Sequence, residues 1–298
     1  EITTTHTDSF FLYLFIGRGY RISMVFLFVV CIVTVFLMII VKAYKNTKEV
    51  IINQVEIPVK AEKAEEQSST LQILHISDLH LENLSVTPEE MYEHLNDQPI
   101  DLIALTGDFL DRKRSIPKLV PYLNVLRSLA PTHGMYGVFG NHDYVLKGRH
   151  FQLLEDTLQK HGCHILKNEH VSFRVNNQIV NIVGIDDYST NRSDIKTSFS
   201  GLEKNGLNVV LTHDPNVVLE MQHVEYAYLL SGHFHGGQIH WPKPYHLVKM
   251  GKLAQMNMIK GLHKHEGKPF YISEGLGQTG VNIRLGSRPE ITFHHLLF

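Results

Sequence analysis

Hydrophobic positions fall into three successive patterns along this chain. The first is a run without a single charge, Ile22 to Val41, long enough as a helix to cross a hydrocarbon core of about 30 Å. Arg18 and Arg21 flank one end, and Lys42, Lys45 and Lys48 the other. A core helix of a globular domain would carry a polar face. A secretory signal would have an apolar stretch of roughly 7–15 residues followed by small residues at a cleavage site. Neither describes this segment, which reads as an uncleaved single-pass anchor in the cell membrane. Three lysines after it against two arginines before it favour a cytoplasmic location for the remainder of the chain, by a margin of one charge that does not fix the side.

The second pattern is a loose alternation from Val50 to Ile57, stopped by Pro58, which suits an edge strand. The charged stretch Ala61 to Ser69 then reads as a solvated linker. The third begins at Leu71 and repeats: an apolar run, a polar patch, a helix signal. Leu71–Ser77, Asp101–Thr106 and Met135–Phe139 read as strands, with helices expected between Pro117 and Ala130 and from His150 to Lys160. Thr87-Pro88-Glu89-Glu90 spells an N-cap, a first-turn proline and a capping box. Further strands are expected at Val171–Val175, Ile179–Ile185, Leu207–Thr212, Tyr226–Leu230, Phe270–Ser273 and Glu290–His294, and Asp214-Pro215 opens another helix. The predicted division is a flank (1–21), an anchor (22–41), a linker with an edge strand (42–70) and an α/β catalytic domain (71–298).

Composition narrows the partners. A net charge of −2 over 298 residues gives no electrostatic case for nucleic acid. Cys31 lies in the apolar run, so it cannot staple the domain to Cys163, and cysteine usage leaves the compartment open.

The chemistry sits where strands end. Asp78-Leu79-His80, Gly107-Asp108, Gly140-Asn141-His142-Asp143, His213 and Gly232-His233-Phe234-His235 each follow a predicted strand, and open α/β sheets build sites at that rim. Carboxylates, imidazoles and one amide, with no thiolate, suit Mn, Fe or Zn used for hydrolysis. Asp-x-His leaving a strand can direct both side chains to one ion, and the two oxygens of Asp108 can bridge two. His233 and His235 would share a face on a strand; on the turn implied by the glycines, each can serve a different ion. The glycines before Asp108 and Asn141 would keep the backbone clear for substrate. Arg112 and Arg284 are candidate phosphate clamps because guanidinium binds phosphate bidentately; an ordinary surface arginine is the alternative for each.

Taken together and in order, these patches resemble the calcineurin-like metallophosphoesterases from about Leu71 onward. Gly236-Gly237-Gln238 and the tail from Gly275 through Arg284 to Glu290 are similar to the membrane-associated bacterial branch that includes UDP-2,3-diacylglucosamine hydrolases. The resemblance implies a four-layer α/β/β/α sandwich. It implies one ion on Asp78, His80, Asp108 and His235, and a second on Asp108, Asn141, His213 and His233. His142 would assist the leaving oxygen while a metal-bridging hydroxide attacks phosphorus, and Asp111 could orient His142 or be merely a helix-cap or surface carboxylate. The expected function is hydrolysis of a phosphodiester, phosphomonoester or pyrophosphate, with a soluble or lipid-linked substrate. The alternatives are a UDP-diacylglucosamine-type pyrophosphatase and a non-catalytic membrane adaptor. Phe234, where similar proteins often carry a small or polar residue, is expected to narrow the pocket mouth. Nothing in the sequence marks an oligomeric state.

Overall fold

The computed structural model describes residues 7–59, 69–240, 247 and 249–298, with the backbone alone described for 7–23. The stretch expected as a charged linker falls almost wholly outside these residues. Two compact units divide the chain, Glu1–Tyr44 and Lys45–Phe298. The first unit carries most of α1 (Thr7–Asn46), which extends well beyond the predicted 22–41. Within it, Met24–Asn46 is long and apolar enough to cross a membrane.

The second unit holds two six-stranded sheets. The first runs in the order β1 (Ile51–Pro58), β12 (Glu290–Leu297), β2 (Thr70–Ile76), β3 (Leu102–Thr106), β4 (Met135–Val138) and β5 (Cys163–Ile165). The second runs β10 (Gly261–His265), β11 (Lys268–Ile272), β9 (Tyr228–Ser231), β8 (Leu207–Leu211), β7 (Gln178–Gly184) and β6 (Glu169–Val175). Strands β2, β3, β4 and β5 are mutually parallel, as are β7, β8, β9 and β11. Their carboxyl ends therefore collect on one rim of each sheet.

Side-chain alternation explains the layering, because successive residues of a strand point to opposite faces. Ile73, Leu102 and Ala104 point between the sheets, where they meet Val209, Leu211, Tyr228 and Leu230. Their neighbours Leu74, Ile103 and Leu105 point outward to a core shared with three helices. Those helices are α2 (Pro88–Leu95), α3 (Ile116–Ser128) and α4 (Arg149–Lys160), which contribute Met91, Leu119, Leu123, Leu154 and Leu158. On the second sheet, Val210, Leu229 and Phe270 face a third core. The outer layer there is thin: a 3-10 segment at Pro215–Glu220 and two four-residue helices, α5 (Ile195–Ser198) and α6 (Lys252–Gln255). The α-helix expected after Asp214-Pro215 is that 3-10 segment. Asp214 Oδ1 accepts from the Asn216 amide at 2.9 Å, which tightens the turn.

The capping box before α2 forms as read. The Glu90 amide donates to Thr87 Oγ1 at 3.1 Å and the Thr87 amide to Glu90 Oε2 at 2.7 Å.

Candidate metal centre

Five strand ends meet at one point between the sheets. β2 hands over to Asp78 and His80, β3 to Asp108, β4 to Asn141 and His142, β8 to His213, and β9 to His233 and His235. The backbone turns sharply at these places. Asp78, His80, Asp108, His233 and His235 have φ of 52°, 37°, 54°, 77° and 50°. Left-handed conformations at non-glycine residues cost on the order of 1–3 kcal/mol and persist only where their surroundings over-determine them. Here the reward is convergence of buried polar side chains.

Two sets of donors result. Asp78 Oδ1 lies 3.4 Å from His235 Nε2 and 4.0 Å from His80 Nε2, and those two nitrogens are 3.2 Å apart. Asp108 Oδ2 lies 3.2 Å from His213 Nε2, which is 3.1 Å from His233 Nδ1. The same Asp108 oxygen is 3.4 Å from His80 Nε2, so one carboxylate atom faces both sets. His233 and His235 go to different sets, the outcome a turn allows and a strand forbids. All six of these side chains are buried.

The arrangement fits divalent cations on its own chemistry. Burial penalises imidazolium, yet imidazole nitrogens face one another here at hydrogen-bonding distance, where at most one proton could sit between each pair. Asn141 Oδ1 is buried without a hydrogen-bond partner among the described residues, although buried polar atoms are normally paired. Carboxylate, imidazole and amide donors left facing one another in this way are what a hard or borderline cation satisfies.

The histidines are oriented from behind. His213 Nδ1 lies 2.7 Å from the Thr106 carbonyl oxygen, which places the ring proton there and leaves Nε2 as the donor atom. His80 Nδ1 lies 3.0 Å from Asp111 Oδ1, and His142 Nδ1 lies 2.9 Å from the same oxygen. Asp111 therefore backs a member of the cluster as well as His142, more than its sequence context implied. Burial would raise the Asp111 pKa, but hydrogen bonds from His142 and His80 outweigh it and hold the carboxyl well below the usual range. For His142, burial works against the charged form, while the bond to Asp111 and the field of Asp108 lift its pKa above the ordinary value.

Several expectations are corrected. Arg284 is not positioned as a phosphate clamp: it is fully buried and its guanidinium is spent on the protein. Nη1 donates to the Glu274 and Arg288 carbonyls at 2.9 and 2.7 Å, and Nη2 to those of Gly275 and Gly277 at 2.8 and 2.7 Å. With the Gln278 amide turned so that its oxygen faces the guanidinium, the orientation that satisfies both of its ends, that oxygen accepts from Nε at 3.2 Å. Phe234 does not line a pocket mouth; it is 1% exposed and packs in the outer core of the second sheet. The glycines serve ligand packing rather than substrate clearance. A Cβ at Gly107 would lie 2.5 Å from the Gly140 amide nitrogen, and one at Gly140 would lie 2.2 Å from Asp108 Oδ1. Arg112 is exposed beside Asp111, and among the described residues its guanidinium has no ion pair or hydrogen bond.

Two residues that matter here were missed. Asp143 is fully buried. Its carboxylate accepts from the amides of Asp108, Phe109 and Gly140, each at 2.9 Å, and of Leu110 at 3.3 Å. It thereby fastens the Asp108 turn to the Asn141 turn; burial and the neighbouring Asp108 push its pKa up to about 7. Glu82 holds the amides of Asp111 and Arg112 at 2.9 Å each. Position beside His142 was the one available hint for Asp143, and no signal marked Glu82.

Beside the Asn141 and His233 half lies an open cavity of about 820 Å³. Its lining is polar, including Tyr188, Ser189, Asn191, Asp214, Lys249 and Lys252.

Paired sheets with such a donor set at their converging strand ends define a metal-dependent phosphoesterase fold. The chain belongs to the calcineurin-like phosphoesterase superfamily, whose domain matches residues 71–263, and it is a metallophosphoesterase-family hydrolase. It is 64% identical over 264 residues to the uncharacterized metallophosphoesterase YkoQ of Bacillus subtilis, covering 89% of this chain and 97% of that one. Phosphodiesterase YaeI of Escherichia coli is 27% identical over 240 residues, 78% of this chain and 84% of that protein. A zebrafish transmembrane protein with a metallophosphoesterase domain is 28% identical over 255 residues, 80% of this chain and 55% of that protein.

Proposed function

We propose that this chain is a membrane-anchored phosphoesterase working with two divalent ions. The observation that supports it most is the Asp108 oxygen within 3.4 Å of His80 and 3.2 Å of His213, a bridging position between two donor sets. Asp78, His80, Asp108 and His235 would hold one ion, and Asp108, Asn141, His213 and His233 the other. When bound, such ions supply an activated water and neutralise charge on the phosphoryl oxygens.

The remaining work falls to the protein's own groups. His142 is half-buried, with its Nδ1 tied to Asp111, so its Nε2 is left to give a proton to the oxygen that leaves phosphorus. Asp111 keeps that ring in one tautomer and one orientation. Arg112, exposed at the edge of this group, is assigned to the phosphate. Manganese is the first ion to test, with iron and zinc as alternatives.

The Escherichia coli relative is named a phosphodiesterase, which makes a diester the first ester to try. The polar cavity suits a hydrophilic group on one side of phosphorus, and the apolar span of α1 supports a lipid-linked substrate and a single-pass location in the cell membrane. The flanking charges favour the cytoplasmic side.

The test uses the full chain in detergent, stripped of metal and reloaded with Mn²⁺, acting on bis(p-nitrophenyl) phosphate and p-nitrophenyl phosphate. Metal-dependent turnover, favouring the diester and reduced about 10²–10⁴-fold in His142→Ala, is expected. Undiminished turnover in that variant would remove His142 from the chemistry.

A further inference from the structure

The residues that leave the apolar helix are fastened to the same loop that backs the metal centre. Asn46, 3% exposed, donates to the Arg284 carbonyl at 2.8 Å. Thr47 Oγ1 donates to Ser85 Oγ at 2.8 Å, and that hydroxyl meets Asn282 Oδ1 at 3.1 Å. Glu49 pairs with Arg288 at 3.3 Å, and the Ile51 amide donates to the Pro289 carbonyl at 2.8 Å. The start of the second unit is thus tied to residues 282–289 at several points.

That loop in turn grips both turns that supply the Asp78, His80 and His235 set. Gln238, three residues after His235, donates to the Thr279 and Val281 carbonyls at 3.0 Å each. Asn83, three after His80, donates to the Gly280 carbonyl at 3.2 Å. The Gly277 amide donates to the Asp78 carbonyl at 2.7 Å and that of Leu276 to Ser77 at 2.9 Å. At the tip of the loop Val281 is 55% exposed. The polar cavity lies by the other set, at Asn141 and His233.

Covalent connection does the rest. Consecutive Cα atoms are about 3.8 Å apart, and the headgroup layer outside a hydrocarbon core is roughly 5–8 Å deep on each side. If α1 spans the bilayer, residues 45–47 stand at its surface, and the groups they bond to stand within a side chain's length of it.

We propose that the 279–283 turn rests on the bilayer surface, so that the metal centre lies between the membrane on one side and the polar cavity on the other. The substrate class this selects is a lipid-borne phosphoester. Its phosphorus reaches the centre, its hydrophilic group enters the cavity, and its apolar part stays on the side of Val281. The proposal rests on reading α1 as a span and the chain as a phosphoesterase.

The experiment labels Val281→Cys with a nitroxide in the full chain carrying Cys31→Ser; Cys163 is buried and unreactive. A control label goes on Lys204→Cys, exposed before β8 and at the opposite end of that strand from His213. Both proteins are placed in vesicles of phosphatidylethanolamine and phosphatidylglycerol, and oxygen and nickel-chelate accessibility report depth. A label at 281 held in the headgroup layer, with 204 in open water, is expected. Equal aqueous exposure at both positions, in protein that resists alkaline carbonate extraction, overturns the proposal while leaving the span intact. Release by carbonate removes the span, and the proposal with it.

The substrate half is read in the same vesicles after Mn²⁺ loading. A p-nitrophenyl phosphodiester bearing one long alkyl chain should turn over faster than bis(p-nitrophenyl) phosphate, and Val281→Asp should lose that advantage. Equal rates for the two esters in the unmodified protein would overturn it, whereas no turnover of either would count against the phosphoesterase reading itself.

Discussion

Two buried polar clusters lie back to back in this fold, and they are built on opposite terms. Around Arg284 the donors are matched: four carbonyls and one amide oxygen receive the guanidinium. Around Asp108 metal-ligating atoms face one another, with paired imidazole nitrogens 3.1–3.2 Å apart and an Asn141 oxygen without a partner among the described residues. Both clusters are buried and both contain groups that could recognise phosphate or metal. What separates them is satisfaction. A buried polar group with partners holds the fold together; one without partners costs stability until a ligand arrives. The first cluster therefore supports the second: the loop gripped by Arg284 supplies the amides that hold Ser77 and Asp78 in place.

This contrast breaks most easily at Arg284. Replacing it with Met strands the carbonyls of Glu274, Gly275, Gly277 and Arg288, and the protein should lose about 1–3 kcal/mol of stability for each carbonyl that water does not reach, read from its urea midpoint. A phosphate clamp would behave differently, keeping its midpoint and raising KM.

A smaller effect is expected at Asp111→Asn. The two imidazoles that share its Oδ1 lose a charged partner, and metal affinity should fall about 10–100-fold, with kcat falling as well. Titration of the stripped protein with Mn²⁺ checks the first and steady-state rates the second; a fall in kcat alone would limit Asp111 to orienting His142.

The smallest effect sharpens the comparison. In metal-free protein, Asn141→Ala removes an oxygen that has no partner among the described residues, so stability should hold or rise by about 1 kcal/mol, while the thermal gain on adding Mn²⁺ shrinks. A loss of several kcal/mol in the metal-free state would mean that Asn141 is a structural residue after all.

The sequence made the second cluster more legible than the first, for a physical reason. Ligand patches follow strands whose apolar pattern is visible, so Asp78, Asp108, His213 and His233 could be assigned to strand ends from the pattern alone. The capping box at Thr87 was legible because both partners lie within four residues. Arg284 was not, because an arginine that binds phosphate and one that binds carbonyls look alike until the return of the 274–288 loop is known. Asp143 was obscured in the same way: three of its four amide partners lie 33–35 residues away. Phe234 sits between two histidines in sequence, yet its side chain turns into a core. Short elements such as β5, three residues long, carry too little pattern to be read.

The central claim is that Asp108 joins two ion sites into one working centre. The most direct test is to add Mn²⁺ stepwise to stripped protein and follow bound metal and diester hydrolysis together, for the natural chain and for Asp108→Asn. The account predicts two ions per chain, turnover that rises only as the second site fills, and a loss of both in the variant. Full activity with one ion bound, or two ions bound as tightly without the Asp108 carboxylate, would contradict it.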